Sequence, residues 1–252
     1  MKLLTLARDL RRRKARERQG LFVAEGLRTV EELLRSPLSV RGALITGHVR
    51  ESPRGSELVA ALHDKNIAVQ EVEDAEFATA AETESPQGVL AIAVAPGRVL
   101  GDLPDADPMR LLVLDAVQDP GNVGTMVRTA AALGAIATLA LPGTVDLWNA
   151  KVVRSGMGAH FHHPCLSGTW EDIEAFRTDR GIAVWAADAA GEPLPGLSAP
   201  SRLALVVGNE GSGLSSVPRS RADRIVALPI AGAVDSLNVA VAAGILLYQL
   251  RP

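Results

Sequence analysis

Three stretches of this 252-residue chain interrupt an apolar run with a turn built from glycine, asparagine or aspartate. They are LDAVQDPGNVGTMVR at Leu114–Arg128, VVGNEGSGL at Val206–Leu214 and LPIAGAVDSLNVA at Leu228–Ala240. Such glycines let backbone atoms approach a ligand closely and take positive φ. Gly124 and Arg128, four apart, share one helix face, and the first amides of that helix form an anion site. Ser236 is placed to cap the last helix through its side-chain oxygen. Three loops at the carboxyl ends of three strands can converge on one ligand, in the crevice where open α/β sheets bind small molecules.

Other chemistries are poorly served. The Rossmann G-x-G-x-x-G is absent after the first strand of this region, where Asp119-Pro120-Gly121-Asn122-Val123-Gly124 stands instead. Gly208-Asn209-Glu210-Gly211-Ser212-Gly213 lacks the Gly-Lys-Ser/Thr ending of a phosphate loop. His160, His162 and His163 have no acidic or cysteine co-ligand nearby, so no metal site is expected. No Ser-His-Asp or Cys-His constellation can be assembled.

The elements that must position these loops read as α/β. Continuous apolar runs at Leu111–Ala116, Ile136–Leu141, Ile182–Ala187, Leu203–Val207 and Ile225–Leu228, with a short strand near His163–Leu166, alternate with helices. The helices are expected at about Val123–Leu133, Leu147–Met157, Trp170–Arg177 and Leu237–Leu250. That alternation predicts a parallel sheet with helices on both faces. Residues 1–95 predict a smaller α/β domain: a basic helix near 3–18, strands at Leu21–Ala24, Ala43–Thr46, Ile67–Val72 and Gly88–Val94, and helices at Thr29–Arg35 and Ser56–Lys65. The proline- and aspartate-rich residues 96–108 read as a linker to a catalytic domain at 109–252.

Apolar content of 47% with 22% charged residues fits a soluble globular protein, and the apolar runs are too short for a bilayer span. The single Cys165 excludes an internal disulfide and fits a reducing cytoplasm. Net charge is −3, yet residues 1–20 hold eight Lys or Arg against Asp9 and Glu17, a local +6. A basic segment with Arg11, Arg12, Arg13 and Lys14 can track phosphates even on an acidic protein; a solvated arginine-rich helix would read the same way. Aromatics are only 3%, which disfavours base stacking as the main nucleic-acid contact.

Taken together, Asn122, Gly124 and Arg128, then Gly208–Gly211, then Pro229 with Ser236-Leu237-Asn238-Val239-Ala240 resemble the three motifs of the SpoU–TrmH family of S-adenosylmethionine (AdoMet)-dependent RNA 2′-O-ribose methyltransferases. The resemblance spans about 111–252 and is looser in 1–95, around Phe22-Val23-Ala24-Glu25-Gly26. It implies a deep C-terminal trefoil knot, an N-terminal domain like ribosomal protein L30e, a homodimer, and no metal in the reaction. It implies AdoMet contacts at Leu139, Leu141, Gly208, Leu228 and Leu237, catalytic roles for Arg128, Asn122, Glu210, Asn238 and Ser236, and an RNA-contacting Arg154. A guanidinium stays protonated, so Arg128 is expected to clamp a phosphate and stabilise charge on the 2′-oxygen rather than act as a base. Asn122 and Glu210 are expected to orient Arg128 or the ribose. The substrate implied is ribosomal RNA. The alternatives are a transfer-RNA ribose methyltransferase and an inactive RNA-binding assembly factor. The small residues Ala240, Ala243 and Gly244 suit a dimer interface or the monomer core equally.

Overall fold

The computed structural model describes residues 2–232 and 236–251. The chain divides into two compact units, Met1–Gly97 with Trp148–His162, and Arg98–Leu147 with His163–Pro252. No helix among the described residues is long and apolar enough to cross a membrane.

The first unit runs α1 (Leu3–Asp9), α2 (Arg13–Gln19), β1 (Leu21–Glu25), α3 (Leu27–Arg35), β2 (Val40–Ile45), α4 (Gly47–Glu51), α5 (Pro53–Asp64), β3 (Val69–Glu71), α6 (Asp74–Ala80) and β4 (Val89–Val94). Its sheet order is β1-β4-β2-β3, with β4 antiparallel to both neighbours and β3 parallel to β2. The expected basic helix is two helices, α1 and α2, because the chain turns at Leu10, whose side chain is buried. Arg16 is buried as well, and its guanidinium donates to the Leu10 and Arg11 carbonyls (2.8 and 2.9 Å). That charge satisfies the end of α1. The short α4 and α6 carry too little apolar periodicity to show in the sequence.

The second unit begins with β5 (Met109–Leu114), α7 (Pro120–Ala132) and β6 (Ala137–Ala140). Next in the chain, α8 (Ala150–Ser155) lies in the segment grouped with the first unit. Then come β7 (Cys165–Ser167), α9 (Trp170–Arg180), β8 (Ala183–Pro193), β9 (Arg202–Val207), α10 (Ser216–Arg221), β10 (Arg224–Ala227) and α11 (Val239–Gln249). Six strands pair in the order β10-β8-β9-β5-β6-β7, every pair parallel. From β5 the chain runs outward through β6 and β7, then returns to the other side of β5 with β8 and β9. The direction reverses between β5 and β9, which opens a crevice at their carboxyl ends. Two of the three glycine-bearing loops leave those two strands.

Strand β8 runs to Pro193, beyond the expected end at Ala187, and its pairing with β10 shifts register between Ile225 and Val226. Gly191 allows that approach: a Cβ there would lie 2.7 Å from the Val226 backbone. Helix α11 starts at Val239 rather than Leu237. The buried Arg110 of β5 donates to the carbonyls of Met109, Ser201 and Leu250, tying the end of α11 to the sheet. Burial pushes its pKa down.

Trp148–His162 was expected in the catalytic region, but its apolar side chains complete the core of the first unit. Phe22, fully buried on β1, has its ring centroid 4.6 Å from that of Trp148 and 6.0 Å from that of Phe161. Val153 is fully buried in the same cluster. Phe22→Ala is therefore expected to cost about 3–5 kcal/mol in urea unfolding, as for other large aromatic truncations. It should also red-shift the emission of Trp148, read with Trp170 and Trp185 replaced by Phe. Unchanged Trp148 emission would separate this segment from the first unit's core.

Candidate active site

The three loops meet through side-chain hydrogen bonds. Glu210, after β9, accepts from the backbone amides of Gln118 (3.3 Å) and Asp119 (3.1 Å) and from the Asn122 carboxamide (3.1 Å). The Asn238 carboxamide donates to the Asn122 oxygen (3.0 Å). Its own oxygen accepts from the amides of Ala240 and Val241 at the start of α11. One continuous relay thus links Asn238, Asn122 and Glu210, one residue from each loop. Of the third stretch, Ala233, Val234 and Asp235 lie outside the described residues.

Two expectations need correction here. The helix cap is Asn238 and not Ser236, because α11 begins one residue after Asn238. The start of α7 is not an open anion site either. Asp119 caps it, accepting from the Asn122 amide at 2.7 Å, and the amides of Gln118 and Asp119, just before the helix, are taken by Glu210. The chain's own carboxylates complement the positive end of that helix.

Burial of the Glu210 carboxyl acts to raise its pKa. The hydrogen bonds from Asn122 and from the amides of Glu210, Gln118 and Asp119 outweigh it and hold the group below its ordinary value.

The loop after β9 closes on itself. Asn209 and Gly213 exchange backbone hydrogen bonds (2.9 and 3.0 Å). The Asn209 side-chain oxygen accepts from the Gly211 and Ser212 amides, and its NH2 donates to the Ala116 carbonyl (2.8 Å). A Cβ on Gly208 would lie 2.4 Å from the Gly213 carbonyl carbon, so only glycine fits that turn. Asp115, buried at the end of β5, accepts from the amide (2.6 Å) and hydroxyl (3.0 Å) of Ser215. Asn209 stands within the second motif read from the sequence, without a role of its own; Asp115 was passed over, although an aspartate ending an apolar strand was an available signal.

A pocket of about 380 Å³ opens beside this junction. Gly208, Glu210, Leu228, Ser236 and Leu237 line it, as do Ile230, Ala242 and Leu246, which were not singled out from sequence. Asp188 and Arg219, an ion pair, form a polar part of its wall. Leu139 and Leu141 do not line it; their side chains are buried in the core. Arg128 lies exposed on α7 and makes no hydrogen bond or ion pair with any described residue, so neither Asn122 nor Glu210 orients it here.

Arg11, Arg12, Arg13, Lys14 and Arg154 are all exposed. Arg12 pairs with Asp9, Arg13 with Glu17, and Arg11 donates to the Thr79 carbonyl. Ala240 and Ala243 are buried, and Gly244 lies against Thr129 of α7, so this small-residue face packs within its own chain. His160 and His163 are buried and serve packing, whereas His162 is exposed. His160 meets Trp148 edge-on, and His163 shares a 2.9 Å hydrogen bond with Thr138 while burial lowers its pKa to about 4. Among the described residues no group of three or more His, Cys, Asp or Glu is arranged to hold a metal ion.

The pattern of the SpoU rRNA Methylase family matches residues 109–248, and that of the MRM3-like substrate binding domain matches residues 5–91. The chain is 36% identical over 245 residues to the 23S rRNA (guanosine(2553)-2′-O)-methyltransferase RlmP of Bacillus subtilis, covering 97% of this chain and 94% of that one. The SpoU methyltransferase AviRb from Streptomyces viridochromogenes, solved with AdoMet, aligns with a TM-score of 0.86 at 26% identity over 99% of this chain and 97% of that one. An AdoMet-bound rRNA methyltransferase from Sinorhizobium meliloti aligns at 0.84 and 28%, covering 99% and 94%.

The depressed pKa of Glu210 carries a sign. A carboxyl whose pKa is lower folded than unfolded contributes stability above its unfolded value and loses it as pH falls through the folded one. Wild type should therefore be more stable than Glu210→Gln at pH 7 in urea unfolding. The difference should close as pH drops below the ordinary carboxylate range. A gap that persists undiminished at low pH would mean that the charge of Glu210 does not hold the loops.

Proposed function

The chain belongs to the SpoU rRNA methylase family, and from that premise we propose that it transfers a methyl group from AdoMet to a ribose 2′-oxygen of large-subunit ribosomal RNA. The observation that carries this reading is the relay Asn238–Asn122–Glu210, which joins the three loops beside the pocket lined by Gly208, Leu228 and Leu237.

The pocket fits the cofactor's chemistry. Leu228, Leu237 and Leu246 offer an apolar wall for adenine, Gly208 presents bare backbone, and Asp188 with Arg219 can meet the zwitterionic end. When bound, AdoMet supplies an electrophilic methyl group, and no metal is required. The chain's own task is alignment. Arg128, exposed and uncommitted among the described residues, clamps a phosphate beside the target ribose and stabilises charge on the 2′-oxygen. Glu210, Asn122 and Asn238 act as positioning residues, and Ser236 shapes the wall where the methyl group is transferred. Leu139 and Leu141 are proposed to reach the cofactor through backbone atoms only, since their side chains are buried in the core.

In this reading residues 1–95 form an L30e-like RNA-recognition domain, with 96–108 as linker and 109–252 as catalytic domain, and Trp148–His162 of the latter segment serves the first unit's core. Arg11, Arg12, Arg13, Lys14 and Arg154 contact phosphates. Exposed ion pairs such as Arg12–Asp9 are worth little, so they exchange readily for RNA. The second unit carries the family's trefoil knot. The protein works in the cytoplasm as a homodimer, for which the exposed stripe Val241, Ile245 and Tyr248 on α11 offers an apolar face.

The decisive assay maps ribose methylation on total RNA with and without this protein. Calorimetry should find one AdoMet per chain, and Gly208→Ala should weaken it at least about tenfold, since the turn must open by more than the 1–3 kcal/mol of an overpacked site. In single-turnover methylation at saturating AdoMet, Arg128→Ala should lose about 100–1,000-fold, the scale of removing one transition-state donor. Arg128→Lys should be nearly as impaired, because a lysine keeps charge and loses the fork. Both should bind AdoMet normally. Wild-type turnover in Arg128→Ala would take this residue out of the reaction.

A further inference from the structure

The first unit holds a second cavity, of about 450 Å³, at one end of its sheet. There β1 and β2 finish and β4 begins, bound by Gly26 N–H to the Val89 carbonyl and Thr46 N–H to the Gly88 carbonyl, each 2.9 Å. Ligands collect outside the carboxyl ends of strands in open α/β sheets. The walls are mixed: Leu27, Val49, Phe77 and Pro86 are apolar, while Thr46, His48, Ser52, Asp74 and Gln87 present polar groups.

The Ser52 hydroxyl is already spent, donating to the Val49 carbonyl and accepting from the Gly55 amide, and His48 is exposed. Thr46 is 2% exposed, yet its hydroxyl makes no hydrogen bond with any described residue. A Cβ at position 88 would lie 2.4 Å from that hydroxyl oxygen, so Gly88, at φ +73°, keeps it open. The Gln87 side-chain oxygen is committed to the Leu27 amide at 3.1 Å, which leaves its NH2 as donor. Asp74 is exposed at the start of α6, and its carboxylate, an acceptor, holds no hydrogen bond or ion pair among the described residues. No lysine or arginine lines the cavity, so an uncompensated phosphate would face a carboxylate there. Arg28, next in the chain to the lining residue Leu27, is exposed in the first turn of α3, where a cation is unfavourable to the helix dipole and Gly26 provides no side-chain cap.

We propose that this cavity takes a guanine base splayed from single-stranded substrate RNA, an inference that rests on the RNA-methylation reading above. Guanine alone among the four bases offers two adjacent N–H donors, N1–H and the 2-amino group, to one carboxylate. Asp74 accepts that pair, the Gln87 NH2 donates to O6, and Leu27, Phe77 and Pro86 cover the ring. Arg28 meets the phosphate that follows the base outward. Single-stranded RNA is read in this manner, by splayed bases hydrogen-bonded along their edges.

The test uses the full chain and fluorescent hexanucleotides of uridine in which the third position is guanosine, inosine, adenosine or uridine. In anisotropy titrations the guanosine oligonucleotide should bind about tenfold tighter than the adenosine and uridine ones, the discrimination a good bidentate base contact provides. Inosine, which lacks the 2-amino group, should fall between them. Asp74→Asn should erase the preference. Ala78→Trp, at an exposed position on α6 that borders the cavity, should do the same by filling it. Calorimetric AdoMet binding and thermal unfolding should be unchanged in both, which excludes misfolding. Equal affinity of wild type for all four, or a guanosine preference surviving both substitutions, would overturn the pocket. If wild type methylates ribosomal RNA yet shows no base preference, this inference alone fails. If it methylates no RNA, the functional reading itself fails.

Discussion

The carboxylate of Glu210 accepts hydrogen bonds from two consecutive backbone amides and one carboxamide of the loop that follows β5. That loop belongs to a neighbouring strand, about ninety residues earlier in the chain. Loops of this kind pay conformational entropy to hold one shape, and a charged acceptor offsets it more strongly than neutral pairs do. Because Asn122 is held by Glu210 on one side of its carboxamide, its oxygen is presented to Asn238 on the other. Asn238 in turn caps α11. The terminal helix, the start of α7 and the loop after β9 therefore share one set of hydrogen bonds. Loss of any member leaves another polar group unmatched.

Beneath this polar layer the sheet provides the fixed frame. Asp115 and Ser215 tie the carboxyl ends of β5 and β9 where strand order reverses, and Asn209 reaches back to the Ala116 carbonyl. The pocket owes its form to absent side chains as much as to present ones, since the Gly208 turn closes on the Gly213 backbone with no room for a Cβ. Arg128 stands apart from this rigid set. A guanidinium without an ion pair among the described residues remains available to an anionic substrate.

The first unit follows another logic. Its core is closed by Trp148, Val153 and Phe161, which arrive from the early part of the second half of the sequence. The chain thereby makes one unit's folding depend on a segment flanked on both sides by the other's strands. Arg12 and Arg18 pair with Asp9 and Arg13 with Glu17, the two carboxylates already counted in the +6 of residues 1–20, so that net charge stands in space as it does along the sequence.

Much of this was legible from residue order. Long apolar runs with helices between them identify a parallel sheet, because strands buried on both faces admit few polar residues. All six strands of that sheet, and the family motifs at Asn122–Arg128, Gly208–Gly211 and Ser236–Ala240, stand in the sequence unaided. What it left open depends on partners distant along the chain. That α1 and α2 separate at Leu10 follows from burial of Leu10 and from a guanidinium folding back, with no glycine or proline to announce it. That Asn238 rather than Ser236 caps α11 depends on where the helix begins, which a single residue's propensity does not settle. That Glu210 binds the loop of Asn122 instead of Arg128, and that Trp148–His162 serves the N-terminal core, required the fold. Local preference and periodicity act over a few residues, and these contacts join groups tens of residues apart, which only tertiary packing brings within hydrogen-bonding distance.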